Sequence, residues 1–144
     1  MLVLVLVNFP KWTVDPFSPR QIASWLLLGL SAALAIHAVQ LLRAIGRPSQ
    51  ERADAELFGF EKTSQLVTVG AFRYIRHPMY AALLFLAWGA YLKDISVPSS
   101  VLIALISLAL FLTARRDEDE CKSYFGAEYT DYMRRTRLFV PFVF

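Results

Sequence analysis

The sequence predicts an all-α, polytopic membrane protein with about three transmembrane helices, a short apolar N-terminal segment before them and a helical C-terminal tail after them. Apolar residues make up 56% of the 144 residues and the mean hydropathy is +0.44, more than a soluble domain needs to fill a core. They are gathered in blocks instead of recurring at helical or strand period, so lipid is the expected solvent for much of the surface. The charged residues flank these blocks, and the length suits one domain, residues 1–144.

The opening MLVLVLVNFP in segment 1–20 is strongly apolar but too short to cross a bilayer, and Pro10 interrupts it. It has no basic n-region and no small-residue cleavage site, which argues against a secretory signal peptide. It reads as a short membrane-embedded helix, or as the remainder of a longer span lost through a late start codon. Residues 21–44 form the most secure span. Their central block, 22–42, has one histidine, one glutamine and no formal charge, enough at ~1.5 Å per residue to cross a ~30 Å core. Residues 79–114 read as a helical hairpin: apolar blocks from Tyr80 to Leu92 and Val97 to Ala114 are split by Lys93, Asp94, Ile95 and Ser96, and Pro98 suits a first helical turn. The first of these blocks is short for a crossing, so its helix begins near Pro78 with little tilt, or the bilayer thins around it.

Between span and hairpin lies a long connector, 45–78, and long connectors usually carry function. It holds Gly46-Arg47-Pro48, an acidic helix-compatible stretch from Glu51 to Leu57, and the breakers Gly59 and Gly70. The tail, 115–144, is rich in helix formers until Phe125-Gly126, so the last span should continue out of the membrane as a helix before turning.

Basic residues orient the chain. Six lie between Arg43 and Arg76 and six beyond Ala114, against only Lys11, Arg20 and Lys93 elsewhere. This bias places connector and tail together on the cytoplasmic side. The net charge of +3 does not imply nucleic-acid binding, because the basic residues flank spans and form no stripe with interleaved aromatics. Cys121 is the single cysteine, so no intrachain disulfide and no cysteine-based zinc site can form.

The polar residues that need explaining cluster at two edges, 66–80 and 114–141. Any one of Arg73, Arg76 and His77 reads as a headgroup anchor. Together they say more. Pro78 holds His77 out of helical geometry at a helix start, where free backbone N–H groups suit an anion beside two arginines. The acidic run Asp117 to Glu120 is ordinarily a solvated face, but it stands where the cytoplasmic ends of the hairpin meet. A zwitterionic, cationic ligand would need both edges, donors for a carboxylate and an acid for an ammonium or sulfonium. His37, inside the first span, is a functional candidate or a helix-packing partner.

The run Gly70-Ala71-Phe72-Arg73-Tyr74-Ile75-Arg76-His77-Pro78-Met79-Tyr80 before a hydrophobic hairpin closely resembles the isoprenylcysteine carboxyl methyltransferase and phospholipid methyltransferase superfamily. The tail is similar too, with Asp117-Glu118, Phe125-Gly126, Tyr129, Tyr132, Arg137 and Pro141 in the family's closing pattern. The resemblance implies S-adenosylmethionine-dependent methyl transfer at a membrane-embedded site capped by the tail. Its acceptor would be lipophilic or membrane-associated: an isoprenylcysteine-like carboxylate, a phospholipid amine or a small thiol. It implies His77, Pro78, Tyr80, Asp117 and Glu118 as cofactor-binding residues, with Glu118 on the methionine portion. Arg73, Arg76 and Arg137 become candidates for the cofactor carboxylate or an acidic acceptor, and Tyr129 and Tyr132 for the acceptor channel.

The sequence departs from the pattern at Asp117, where relatives often carry glutamate, and at Ala82, where they carry glycine. It also has fewer spans than most relatives, for which a homodimer would compensate. The expected setting is the bilayer of a bacterial inner membrane. Two other readings are an NADPH-dependent reductase of the sterol or steroid type, which typically shows asparagine where this chain has Pro78 or Met79 and is disfavoured by Pro78, and a non-catalytic membrane scaffold, which would not need His77, Tyr80 and Glu118.

Overall fold

A computed structural model describes residues 1–46 and 64–141. Its helices are α1 (Leu2–Asn8), α2 (Pro19–Ala44), α3 (Pro78–Tyr91), α4 (Val97–Phe125) and α5 (Ala127–Arg135), with 3-10 turns at Phe9–Lys11 and Gly70–Arg73. No strand occurs among the described residues; one isolated parallel bridge joins Ile75 to Arg137. The expectations placed on Arg47-Pro48, on the stretch Glu51 to Leu57 and on Gly59 fall outside the described residues.

Helix boundaries follow from local chemistry. Ser18 caps α2, its hydroxyl accepting the Gln21 N–H, and Pro19 occupies the first turn, where its missing N–H costs nothing. Ser96 and Pro98 start α4 in the same way. The last long helix does run past the apolar block, as expected, and ends at Gly126, whose φ of 60° turns the chain into α5.

Two helices, α2 with 26 residues and α4 with 29, are long and apolar enough to cross a membrane. Helix α3 has 14 residues, about 21 Å at ~1.5 Å per residue, short of a ~30 Å hydrocarbon core. The outer faces of α2 and α4 expose Trp25, Leu26, Leu30, Leu105, Leu108 and Leu112, a surface suited to lipid and costly in water. The chain is an integral membrane protein.

Helix α3 packs chiefly on α2 and also against α1 and α4. Buried side chains are hydrogen-bonded to its backbone: Ser31 Oγ to Ala82 O at 2.7 Å, Ser24 Oγ to Gly89 O at 2.6 Å and Asn8 Nδ2 to Ala90 O at 2.8 Å. In an apolar medium such groups must find protein partners. Asn8 Oδ1 also accepts Ser99 Oγ at 2.8 Å, which ties the N-terminal segment to α4.

The hairpin connector behaves differently from an ordinary loop. Lys93 is fully buried, with Nζ 3.0 Å from Gln21 Oε1 and 3.4 Å from the centre of the Trp25 ring. A carbonyl-type acceptor and a π face together replace the water its ammonium loses. Lys93 thus fastens the connector to the start of α2.

Candidate active site

The two polar edges meet in the structure, through backbone first. Arg76 N donates to Arg137 O at 2.7 Å, His77 N to Leu138 O at 3.2 Å, and Arg137 N to Tyr74 O at 3.0 Å. The chain after α5 therefore lies alongside residues 74–77 and supplies partners that this irregular stretch, held out of helix by Pro78, cannot find in itself. His77 has φ −121° and ψ 64° at the start of α3, the non-helical geometry expected ahead of a proline. Tyr132 reinforces the junction, its buried hydroxyl donating to Phe72 O at 2.6 Å.

Side chains complete it. Arg76 Nε lies 2.5 Å from Glu118 Oε1, and its Nη1 donates to Thr136 O at 2.5 Å and to Met133 O at 3.3 Å, at the end of α5. One planar guanidinium thus holds an acid on α4 and the carbonyl end of α5, where a cation is favoured. The Glu118 side chain has no exposure to solvent, and its second oxygen accepts from Arg115 at 3.1 Å. One turn away on α3, the Tyr80 hydroxyl donates to Asp117 Oδ2 at 2.5 Å.

His77 stands beside this cluster. Its ring stacks on Tyr80, centroids 5.6 Å apart, and meets Phe139 edge-on at 6.5 Å. Burial, aided by the Arg76 guanidinium, pushes its pKa down from 6.5 to about 3, so the ring is neutral near pH 7. Its Nε2 is buried with no hydrogen-bond partner among the described residues, 3.9 Å from Glu118 Oε1. An orphaned buried nitrogen facing a carboxylate is costly unless another molecule occupies the gap. A ligand ammonium there could donate to both atoms. Burial also pushes the Tyr129 and Tyr132 phenols up from 10, so both remain hydroxyls at neutral pH.

Of the residues singled out from sequence, the structure brings Arg76, His77, Pro78, Tyr80, Asp117 and Glu118 together, with Tyr129 and Tyr132 buried on the adjoining face of α5. Arg73 and Arg137 are not brought into the cluster; both are exposed, Arg73 lying 5.9 Å from the centre of the Tyr74 ring. Arg76, a candidate for the cofactor carboxylate or an acidic acceptor, directs its Nε to Glu118 and its Nη1 to the end of α5. Three participants were missed. Arg115 could have been found, since three residues before Glu118 places it on the same helical face. Thr136 offers its carbonyl and Phe139 its ring, and neither leaves a signal in one sequence.

Comparisons with known proteins agree with the architecture. The family model described as phospholipid methyltransferase matches residues 20–128. Protein-S-isoprenylcysteine O-methyltransferase B of Arabidopsis thaliana is 31% identical over 86 residues, covering 58% of this chain and 43% of that protein. Methanethiol S-methyltransferase 2 of Bradyrhizobium diazoefficiens is 27% identical over 150 aligned residues, covering 99% of this chain and 57% of its own. The nickel-cobalt-cadmium resistance protein NccN of Alcaligenes xylosoxydans xylosoxydans is 31% identical over 80 residues, covering 56% and 38%. The chain spans about half the length of the curated relatives it matches. No solved structure matches it.

Proposed function

The chain belongs to the phospholipid methyltransferase family, and on that premise we propose that it transfers a methyl group from S-adenosylmethionine to a lipophilic acceptor, at the junction of residues 74–80 with α4 and the tail. The observation that carries this reading is the gap between the orphaned Nε2 of buried, neutral His77 and the Oε1 of Glu118. A single ammonium placed beside the pair could donate to both atoms, and S-adenosylmethionine carries one next to its sulfonium. The first turn of α3, which opens at Pro78, offers N–H groups to the carboxylate of the same ligand.

S-adenosylmethionine supplies an electrophilic methyl that passes to a nucleophile by in-line displacement. The residues of this chain bind, orient and exclude water. Glu118, paired with Arg76 and Arg115, takes the ammonium. His77 accepts beside it, and the Tyr80–Asp117 pair fixes the wall next to it. Buried Tyr129, Tyr132, Leu138 and Phe139 keep bulk water from the junction. Arg73 and Arg137 stand at its rim. We further propose that this face is the cytoplasmic one, in a bacterial inner membrane, and that the chain forms a homodimer.

Calorimetry on the protein in lipid nanodiscs tests the assignment. Binding of S-adenosylmethionine is expected, weakened at least tenfold in His77→Ala and in Glu118→Gln. Uptake of NADPH without S-adenosylmethionine would assign the chain to the reductase class instead.

A further inference from the structure

The atoms assigned to the methyl donor are shut away from solvent. The Glu118 side chain has no exposure, the His77 side chain is 9% exposed, and His77 Nε2 is buried. Yet Glu118 stands beyond Ala114, on a stretch of α4 where Arg115, Arg116 and Asp119 are all exposed. Helix α5 doubles back at Gly126 and packs on α4. Arg76 joins Glu118 to the carbonyls of Met133 and Thr136, so the end of α5 lies beside the acid. Burial, with Cys121 and Glu118 close by, pushes the Tyr129 phenol up, in keeping with that ring lying near the acid as well. A ligand that is to touch both His77 and Glu118 must first uncover them.

Of the walls around this pair, α5 is the most lightly held. Only Tyr129 and Tyr132 of its nine residues are buried, while Ala127, Glu128, Thr130, Asp131, Arg134 and Arg135 are exposed. Its anchors are the Tyr132 hydroxyl, 2.6 Å from Phe72 O and 3.4 Å from Ile75 O, and the Nη1 of Arg76. By contrast, α3 takes buried hydrogen bonds from Asn8, Ser24 and Ser31, and the chain beyond Thr136 is tied to residues 74–77 through its backbone. An element with few buried contacts opens ahead of its surroundings. Both ends of α5 are suited to turning. Gly126 has φ 60° and ψ −127°, and a side chain there would meet nothing within 4 Å. Thr136, at the other end, is already extended.

We propose that α5 is a lid over the donor site, hinged at Gly126 and Thr136 and latched by Tyr132 and Arg76, which swings off α4 to admit S-adenosylmethionine and returns to enclose it. This rests on the methyltransferase reading above and adds a gating step to it. Closure holds the sulfonium out of bulk water while the methyl group is transferred. The observed association rate is then the intrinsic rate multiplied by the fraction of molecules whose lid is open. A weaker latch raises that fraction, so it speeds capture even as it makes the protein less stable. It speeds release too, because the same latch closes the bound form.

The full chain in nanodiscs, mixed rapidly with methyl-labelled S-adenosylmethionine and filtered at intervals, tests the lid. Tyr132→Phe is expected to raise the association and dissociation rate constants about fivefold, the factor that corresponds to one ordinary hydrogen bond. Gly126→Ala strains the closed hinge without touching the site, since a residue with a Cβ avoids that backbone conformation. Both rate constants are expected to rise at least about fivefold there as well. Association unchanged or slower in either variant overturns the proposal, because damage that is merely structural does not hasten capture. Hydrogen exchange of the unaltered chain gives an independent readout. Amides of α5 should exchange faster than those of Arg76 and His77, and saturating S-adenosylmethionine should slow them at least tenfold; α5 exchange indifferent to the donor overturns the lid. Absence of S-adenosylmethionine binding by the unaltered chain would instead remove the methyltransferase reading, and this proposal with it.

Discussion

Arg76→Lys separates a scaffolding guanidinium from an ordinary surface charge. In the native chain Arg76 reaches Glu118 with Nε and the carbonyls of Met133 and Thr136 with Nη1, and its side chain is only 10% exposed. A lysine keeps the charge but has one compact ammonium on a stem that cannot serve both directions. At least one charge-assisted hydrogen bond is lost, worth ~1.5–3 kcal/mol. Arg115 still neutralises Glu118 in part, so the lower half of that range, about 2 kcal/mol, is the expected cost. Hydrogen exchange in nanodiscs should show the amides of α5 and of residues 136–139 opening about thirtyfold more often, with α2 unaffected. Arg115→Ala is the control. It removes a donor from the same acid, but one whose side chain is 56% exposed, so its effect should stay below ~1 kcal/mol. Exchange within twofold of wild type in Arg76→Lys, or an equal effect in Arg115→Ala, would refute the claim that Arg76 joins tail to site.

Tyr132→Phe removes the 2.6 Å bond to Phe72 O and leaves that carbonyl short of a partner, so thermal unfolding should show a loss of about 1 kcal/mol. Gly70→Ala forces a side chain into φ +60° and within 2.6 Å of both His37 Nε2 and Leu41 Cδ1; the expected cost is about 2 kcal/mol, with exchange in residues 64–73 rising first. His77 gives a pH signature. Its folded pKa lies near 3, below its ordinary 6.5, so the unfolded chain binds the extra proton between these values. Its contribution to stability is whole above pH 6.5 and falls as pH drops toward 3, at up to ~1.4 kcal/mol per unit. Thermal midpoints from pH 7 to pH 4.5 should fall less steeply in His77→Gln than in wild type.

Composition and patterning made much of this fold legible. The span expected at 21–44 is α2 at Pro19–Ala44, and the helix expected to continue beyond Ala114 does so to Phe125. Pro78 announced the break at His77 because the effect of proline on its neighbour is local. Offsets between helices were not legible. The short block after Pro78 suggested an untilted helix or a thinned bilayer. The helix does begin at Pro78, and the structure adds that the ends of α2 and α3 align at Gln21 and Lys93. That arrangement depends on Ser24, Ser31 and Gln21 finding carbonyls on another helix, which periodicity in one segment cannot reveal. The burial of Lys93 was illegible for the same reason, since the Trp25 ring and the Gln21 carbonyl that enclose it lie on another helix.

The register also explains the departure at position 82. A methyl group where relatives carry glycine would obstruct the site if that residue faced His77. Ala82 is buried instead against α2, its carbonyl accepting from Ser31, so its methyl fills the helix interface and leaves the cluster untouched. The substitution of aspartate for glutamate at 117 is different in kind, because Asp117 is inside the cluster and already meets the Tyr80 hydroxyl. The motif is in two parts for a physical reason: Arg76 N, His77 N and Tyr74 O find their backbone partners in the tail, and Arg76 binds the tail in return. Neither half has this geometry without the other, and the His77–Glu118 gap exists only where they meet.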